Sequence, residues 1–374
     1  MKAVSVFVGC FTWATVLSSI NSYALNLDFR GQLSGWTIES REHDEWHNNS
    51  GLRYIPQFTV KQPLTEASFF DTEVSLNGSL SYDSEDAEKD AEVKLYRLKL
   101  RYATAQTETQ VGLQQINFGP ARLLRSLRWF DQLDQRDPLQ LTEGVYALRF
   151  TYNALNNANV WLWGLYGNDK PKGYETLPSV SDKPEFGGRL QYPVLKGEFA
   201  ATVHARQVDA STLGDADFTE NRFALDGRWE VKVGLWFESV LQRQNTKVLP
   251  YKWTKMTTLG LDYTFGIGNG LYVVAEHLMT ASSDEPFGWD QDAHVSAVSV
   301  NYPIGLFDSV TAIGYYAWDQ EEFSQYLSWQ RTYDNWVINV SVFHYPESKE
   351  DHVGQQQNAF GAGYGGQIII AYHH

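Results

Sequence analysis

The sequence predicts an all-β fold, a transmembrane antiparallel β-barrel of about 18 strands with short periplasmic turns and long external loops. Three observations support this prediction. Segments of roughly ten residues alternate apolar and polar side chains along the whole chain, which is the period of a β-strand. Tight connections alternate with long polar ones. No stretch beyond the N-terminal region approaches the roughly 18 uninterrupted apolar residues of a membrane-spanning helix.

Residues 1–24 have the features of a secretory signal peptide. Lys2 precedes an apolar, uncharged run from Ala3 to about Leu17, and Ser22-Tyr23-Ala24 supplies small residues at the cleavage positions. A membrane anchor is the competing interpretation, but the run is short and polar residues interrupt its end. We therefore expect cleavage after Ala24 and a single outer-membrane barrel domain over residues 25–374.

The composition narrows the classes of partner. Cys10 is the only cysteine, so the mature chain has no thiol for a disulfide or a thiolate metal site, and we expect no metal and no cofactor. Removing Lys2 leaves 45 acidic against 29 basic residues, a net charge of −16, which argues against nucleic acid. The expected partners are outer-membrane lipid, lipopolysaccharide and a small polar solute. A homo-oligomer is compatible with this class, although no flat apolar patch in the sequence specifies one.

The alternation divides the mature chain into 18 candidate strands, and an even number places both chain ends on the periplasmic side. Their approximate bounds are 25–40, 52–62, 69–82, 91–103, 107–117, 142–153, 157–167, 184–193, 197–207, 219–230, 232–243, 255–265, 270–280, 293–302, 308–318, 322–331, 334–344 and 361–372.

Every second connection is tight, and the others are long and polar except at 319–321. The tight ones are 62–68, 103–106, 153–157, 193–197, 230–231, 266–270, 303–307 and 332–333. The long ones are 42–51, 83–90, 118–141, 168–183, 208–218, 245–254, 281–292 and 345–360. A soluble β-sandwich has no reason to keep its long loops at one end, whereas a transmembrane barrel does.

The faces of the strands agree with a barrel that is apolar outside and polar inside. The fourth candidate strand sets Tyr96, Leu98, Leu100 and Tyr102 against Arg97, Lys99 and Arg101. An amphipathic sheet packed on a protein core would show the same pattern, but the sequence offers no helices to cover it. Aromatic residues recur on the apolar face near the tight turns, as in an interfacial girdle, at Tyr102, Tyr152, Tyr192, Trp229, Phe265, Tyr302 and Trp336.

The long segment 118–141 interrupts an otherwise tightly turned chain, and loops of this length are usually functional. We expect it to fold into the lumen as a constriction loop. Its charged residues are the predicted pore constriction: Arg122, Arg125, Arg128, Asp131, Asp134, Arg136 and Asp137. The alternative is that the same charges form a salt-bridged plug, and the two roles are not exclusive.

Residues 112–119, Gly-Leu-Gln-Gln-Ile-Asn-Phe-Gly, with Arg122 following, resemble the alginate-export family of porin-like outer-membrane β-barrels. Trp129, Phe130, Asp131 and Arg136 stand in an order comparable to the constriction segment of that family. The resemblance covers about residues 111–145 and implies an 18-stranded barrel with an Arg-rich, anion-conducting pore. This sequence has Gly-Leu-Gln where the family has Gly-Arg-Gln, and it is short, so alginate itself is not implied.

Further charges are expected to face the lumen from the barrel wall. They are Arg97, Lys99, Arg101, Arg149, Arg189, Arg206, Arg222, Asp226, Glu238, Asp262 and Glu276. A ring of basic side chains favours anions, and opposed rows of charge would orient dipolar solutes. The alternative is that these charges pair with one another and brace the wall.

The predicted function is an outer-membrane channel of a Gram-negative bacterium for small polar solutes, anionic ones included. A non-conducting barrel that acts as a receptor, adhesin or scaffold through its external loops is the second hypothesis. A lipid-modifying barrel enzyme that uses His204 or His277 is the third. We expect that the protein is not an enzyme, because its sequence has no G-x-S-x-G motif and no clear Ser-His-Asp set.

Overall fold

The structure is a computed structural model that describes residues 25–84, 88–214, 216–246, 248–346 and 363–374. The predicted signal peptide and most of the predicted connection 345–360 lie outside the described residues. The alternating segments form strands because successive side chains of an extended backbone point to opposite faces, which places β-branched and aromatic residues on one face and polar residues on the other.

The described residues form 18 strands and one 3-10 turn at Ser211–Leu213. The strands are β1 (Asn26–Glu42), β2 (Glu45–Thr65), β3 (Ser68–Asp83), β4 (Glu88–Ala103), β5 (Thr107–Gln114), β6 (Val145–Asn153), β7 (Asn159–Leu165), β8 (Glu185–Val194), β9 (Gly197–Val208), β10 (Phe218–Glu230), β11 (Gly234–Gln244), β12 (Trp253–Phe265), β13 (Leu271–Ser283), β14 (Gln291–Ile304), β15 (Asp308–Ala317), β16 (Glu322–Tyr333), β17 (Trp336–Tyr345) and β18 (Gly363–His373).

The strands close into a single antiparallel barrel. Each strand pairs with its neighbours in sequence, and β1 also pairs with β18 from Gln32 opposite His373 to Arg41 opposite Tyr364. Closure leaves no edge strand, because every strand has a hydrogen-bonded neighbour on both sides. The predicted fold class is confirmed.

A search of the described chain for a helix long and apolar enough to cross a membrane finds none.

The predicted strand faces are also found. On β4 the side chains of Leu98 and Leu100 are 43% and 44% exposed on the outside, whereas Arg97 is 8% exposed inside. On β6 Leu148 is 54% exposed and Thr151 is buried. The outer surface is therefore a band of apolar side chains, and the polar side chains point into the lumen.

The ends of the strands differ from the prediction at two long connections. The predicted loop 42–51 is wrong, because β1 and β2 stay paired up to Glu42 and Glu45 around a tight turn. Cross-strand polar pairs extend the ladder here, such as Thr37 Oγ1 with Ser50 Oγ at 2.9 Å. The predicted loop 118–141 is longer than expected, since β5 ends at Gln114 and β6 begins at Val145. We call residues 115–144 the inner loop.

The connection after each even-numbered strand from β2 to β16 is short, and these eight turns lie at one end of the barrel, which we call the short-turn end; the tight turn between β1 and β2 lies at the opposite end. The other end carries the longer connections, including the inner loop. Inside the barrel a buried apolar cluster joins the inner loop to the lumen-facing wall. It includes Ile116, Phe118, Leu124, Leu127, Trp129 and Phe130 of the loop with Trp163, Val240, Leu278, Ile313, Tyr326 and Tyr345 of the wall.

Candidate functional site in the barrel lumen

The inner loop folds into the barrel and crosses its lumen. Apolar side chains direct this path, because Ile116, Leu124 and Leu127 are at most 1% exposed inside the wall. Gly119 adopts a positive φ of 94°, and a Cβ atom there would lie 2.3 Å from Glu238 Oε1. Only glycine allows this backbone to approach the wall so closely.

Two glutamates of the wall hold the loop through its backbone amides. Glu238 on β11 accepts hydrogen bonds from the N–H groups of Ala121 at 2.9 Å and Leu127 at 2.8 Å. Glu276 on β13 accepts three: from Arg122 at 2.7 Å, Leu123 at 2.9 Å and Leu124 at 2.6 Å. The Trp236 Nε1–H group also donates to Glu276 at 3.0 Å. The five amide bonds hold residues 121–127 of the inner loop against the wall.

Two further contacts extend the attachment around the wall. Thr258 on β12 donates to the Leu124 carbonyl at 2.6 Å and contacts Ser126 Oγ at the same distance. The Tyr326 hydroxyl on β16 donates to the Arg136 carbonyl at 3.0 Å. The loop leaves the wall at β5 and is bonded to β11, β12, β13 and β16, so it spans the lumen rather than lying along one side.

The charges within the loop mainly pair with one another. Arg125 binds both carboxylate oxygens of Asp131, with Nη2 to Oδ2 at 3.0 Å. Arg136 binds Asp134, with Nε to Oδ1 at 3.0 Å. Asp137 instead accepts the N–H groups of Leu139 and Leu141, at 2.9 and 2.8 Å. These contacts fix the shape of the loop.

The remaining two predicted constriction residues behave differently. The Arg128 guanidinium lies over the ring of Tyr174 at 4.2 Å from its centroid and is nearly buried. Arg122 pairs with Asp262 at 3.3 Å and donates to the Tyr272 hydroxyl, yet its side chain is still 35% exposed. Arg122 is therefore the most exposed of the four loop arginines.

Two carboxylates of the inner loop, Asp134 and Asp137, have pKa values shifted in opposite directions. Burial alone would raise the pKa of Asp134, but the charge of Arg136 and its hydrogen bonds hold that pKa below its ordinary value. Burial raises the pKa of Asp137 despite its two amide donors. The contribution of Asp134 to stability is thus present above its ordinary pKa and is lost as the pH falls through the lowered value. Asp137, whose pKa is raised, instead lowers the stability of the folded protein once the pH rises above its ordinary pKa, because ionising this buried carboxyl disfavours the folded state.

A second segment also packs inward, and the sequence analysis did not predict it. Residues 166–184, between β7 and β8, form a second inner loop. Its Lys172 Nζ lies 3.0 Å from Glu185 Oε1, and its Glu175 pairs with Arg206 at 3.2 Å and Arg222 at 2.8 Å. The signal available in the sequence was the two arginines on adjacent strands, which need carboxylates when they are buried.

The two inner loops touch. A Cβ atom at Gly173 would lie 1.9 Å from the carbonyl oxygen of Arg128, and Gly173 has a φ of 53°. Together with the Arg128–Tyr174 contact, this close approach fastens the second inner loop against the first.

Each wall charge that the sequence predicts to face the lumen lies inside the barrel, and most are paired. The pairs are Lys99 with Glu73 (2.7 Å), Arg101 with Asp71 and Glu108 (3.3 Å), Arg149 with Glu108 (3.1 Å), Arg189 with Asp226 (2.6 Å), Arg206 with Glu220 (2.7 Å), Arg222 with Glu220 (2.6 Å) and Arg228 with Asp262 (3.5 Å). Arg97 donates instead to the Thr142 carbonyl at 2.8 Å, and no described carboxylate pairs with it. Bracing of the wall is thus the main arrangement that the geometry presents, and Glu238 and Glu276 serve the inner loop.

The two histidines considered for catalysis have ordinary structural surroundings. His204 is buried in the lumen, where Nδ1 accepts from Trp163 Nε1–H at 3.2 Å and Nε2 lies 3.1 Å from Glu185. His277 points outward and contacts Ser296 Oγ at 2.9 Å. Across the described ranges, no group of three or more His, Cys, Asp or Glu residues is arranged to hold a metal ion.

Two polar cavities remain beside the inner loop, in the half of the barrel nearer the short-turn end. The first has a volume of about 390 Å³ and lies between the loop and the wall of β7 to β10. Its lining includes Asn117, Pro120, Arg122, Gln135, Gln140, Trp161, Arg189, Gln191, Glu198 and Arg228. The second, of about 360 Å³, is lined by Glu73, Arg97, Lys99, Gln110, Gln114, Gln115, Asn117 and Arg149. Asn117 borders both.

No protein-family model matches the chain, and no curated protein matches it by sequence. Among solved structures, OccD3 of Pseudomonas aeruginosa gives a TM-score of 0.60 at 10% identity, over 95% of this chain and 93% of that one. OccAB1 of Acinetobacter baumannii gives 0.59 at 10% identity, over 94% and 96%. An anion-selective porin from Comamonas acidovorans gives 0.52 at 8% identity, over 94% and 100%. These likenesses show the same barrel fold.

Proposed function

We propose that this protein is an outer-membrane channel that lets small polar solutes diffuse through a lumen narrowed by the inner loop. The observation that carries the proposal is the inner loop itself, which is fastened across the lumen while polar cavities remain beside it. In this function the apolar outer face meets lipid, the long-loop end meets lipopolysaccharide, and the short-turn end faces the periplasm of a Gram-negative bacterium.

The charges of the inner loop divide into two roles in this channel. The Arg125–Asp131 and Arg136–Asp134 pairs brace the loop, because their side chains are nearly buried and bonded to each other. Arg122 contacts the solute, because it borders the larger cavity and is the most exposed of the loop arginines. The constriction is therefore formed by the whole loop, and its contact with solute is concentrated near its beginning.

A modest preference for anions follows from the cations that line the two cavities. Arg97 has no carboxylate partner among the described residues, and Lys99 and Arg122 keep exposed surface although each has one. The structural likeness to the anion-selective porin from Comamonas acidovorans supports a preference for anions. The resemblance of residues 111–145 to the alginate-export family stays a local prediction, and alginate is not proposed as the solute.

Neutralising Lys99 and Arg122 together tests this selectivity. In Lys99→Gln/Arg122→Gln we expect the reversal potential in a salt gradient to shift toward cations, because two positive charges leave the solute path while Glu73 and Asp262 remain. The matched control is Arg331→Gln, an arginine at the outer face of β16 that is 3.8 Å from Asp308. An unchanged reversal potential in the double variant would remove these residues from the ion path.

The membrane location has its own test at the outer face of β6. Leu148→Arg places a charge in the middle of the apolar band, where lipid exposure costs about 2–4 kcal/mol. We expect a corresponding loss in the free energy of unfolding, measured by urea titration of the protein in lipid vesicles. Leu148→Ala is the matched control, because it shortens the same side chain without adding charge. Equal stability of the two variants would contradict a lipid-facing position.

The channel is tested by recording purified protein in a planar bilayer. We expect stepwise, ohmic current increments that require the protein. The second candidate function, a non-conducting receptor or scaffold, is favoured by one observation: apolar side chains of the inner loop pack against the wall on many strands and occupy much of the lumen. A protein that inserts but neither conducts nor permits liposome swelling would support that function instead.

A further inference from the structure

We propose that the larger cavity beside the inner loop is a binding subsite for a neutral sugar, a monosaccharide or disaccharide that passes through the channel. This inference rests on the proposed function and specifies its solute. The subsite lies between the inner loop and the wall formed by β7, β8, β9 and β10.

An aromatic platform forms one side of this cavity. Trp161 is the third residue of β7, and its side chain lines the cavity from the lumen face of the wall. The Arg149 guanidinium lies 5.1 Å from the centre of its ring and holds the indole in place. The apolar C–H face of a sugar ring suits a flat indole, which offers a large, rigid contact area. Pro120 and Leu133 add apolar surface on the loop side.

Side-chain amides of asparagine and glutamine surround the Trp161 ring, and several have no hydrogen-bond partner among the described residues. In the part of the chain that the structure describes, the side chains of Asn117, Gln135 and Gln140 have no hydrogen-bond partner. Gln191 donates its Nε2–H to Glu198, which leaves the Gln191 carbonyl oxygen as an acceptor. Each amide offers donors and an acceptor at once, which is the combination that hydroxyl groups require.

The basic groups that line the cavity all have carboxylate partners; Arg122 and Arg228 keep exposed surface that passing ions can meet, but they pair with Asp262 and Glu230. Arg189 makes a bidentate pair with Asp226, at 2.6 and 2.7 Å, and Arg125 makes one with Asp131. A bound anion would have to compete with these buried partners, and separating a buried pair is strongly unfavourable. A neutral sugar can bind through the side-chain amides that lack partners and through the Trp161 indole, without separating any ion pair. We therefore infer an uncharged sugar rather than a sugar acid for this cavity.

The size and position of the cavity fit a subsite on the transport path. A volume of about 390 Å³ is within the range of small-ligand pockets. Trp161, Gln191, Glu198 and Arg228 all lie within a few residues of the short-turn ends of their strands. A sugar that has passed the inner loop would meet this subsite before it leaves the barrel at the short-turn end.

The experiment measures sugar block of the ion current in planar bilayers that contain the full-length protein. Glucose and maltose are the neutral probes, glucuronate is the charged match, and glycerol at equal viscosity controls for bulk effects. We expect maltose to lower the current saturably, with half-block on the order of 1 mM, and glucuronate to block less. Trp161→Ala should raise the half-blocking concentration about tenfold, whereas Trp336→Ala, which removes an outward indole at the short-turn end, should leave it unchanged.

The outcomes separate the sugar subsite from the channel. Current that falls no more with maltose than with glycerol overturns the subsite and leaves the channel standing, as does an unaltered block in Trp161→Ala. Stronger block by glucuronate than by glucose replaces sugar recognition with charge recognition and overturns the proposal. Absence of any current in salt alone overturns the channel, and isothermal titration of maltose into the detergent-solubilised protein then decides the subsite by itself.

Discussion

Deleting residues 120–137 is expected to raise the single-channel conductance several-fold. This segment contains the part of the inner loop that Glu238, Glu276 and Thr258 hold across the lumen, so its loss should open the path between the two barrel ends. The measurement is the distribution of current steps in planar bilayers at fixed salt. A wider lumen should also admit larger uncharged polymers, which a polymer-exclusion series would record.

The control for this deletion is a shortened connection at the same end of the barrel. Removing residues 285–289 from the turn between β13 and β14 takes away chain that lies outside both inner loops. We expect its current steps to match those of the unaltered protein. If the 120–137 deletion inserts, resists heat on gels as a folded barrel does, and still passes no current, the channel function is wrong.

Replacing both wall anchors is expected to release the inner loop without removing it. In Glu238→Leu/Glu276→Leu, five backbone amides and the Trp236 indole N–H lose their acceptors, and each buried donor left unpaired costs about 1–3 kcal/mol. We expect a fall of several kcal/mol in the free energy of unfolding, and a current that fluctuates between levels as the loop detaches.

The matched replacement is Glu238→Gln/Glu276→Gln, which keeps one acceptor oxygen in each side chain and should lose less stability. Glu230→Gln is the control at a glutamate that does not bind the inner loop, because Glu230 pairs with Arg228 at the end of β10 and is 61% exposed. A steady current of unaltered size in the leucine variant would show that the glutamates do not position the loop.

The fold could be predicted from the sequence because an apolar outer face and a polar lumen impose a period of two on every strand. The alternation of Leu98 and Leu100 with Arg97 and Lys99 needs no knowledge of neighbouring strands, and neither does the alternation of tight and long connections. The sequence predicts a loop over 42–51 where the structure has strand residues and a tight turn at His43–Asp44. The error arose because the ends of β1 and β2 extend beyond the apolar band, and their polar composition is that of a loop.

The arrangement of the site could be predicted only in part, since it depends on register and on long-range contacts. The sequence places Glu238 and Glu276 inside the barrel but does not show that they bind the amides of a distant loop. Arg189 and Asp226 are on β8 and β10, so their pairing requires the register of two ladders. The inward path of residues 166–184 carries no local signal beyond its length.

The contact between Gly173 and the Arg128 carbonyl has a mechanical consequence. Residues 166–184 start and finish at the rim of the barrel that carries the longer connections, and their middle presses on the peptide backbone that spans the opening. Any ligand or antibody that pulls on this rim segment must therefore move the spanning backbone as well. In the proposed channel, a ligand that binds this rim segment would displace the inner loop through the contacts of Gly173 and Tyr174 with Arg128.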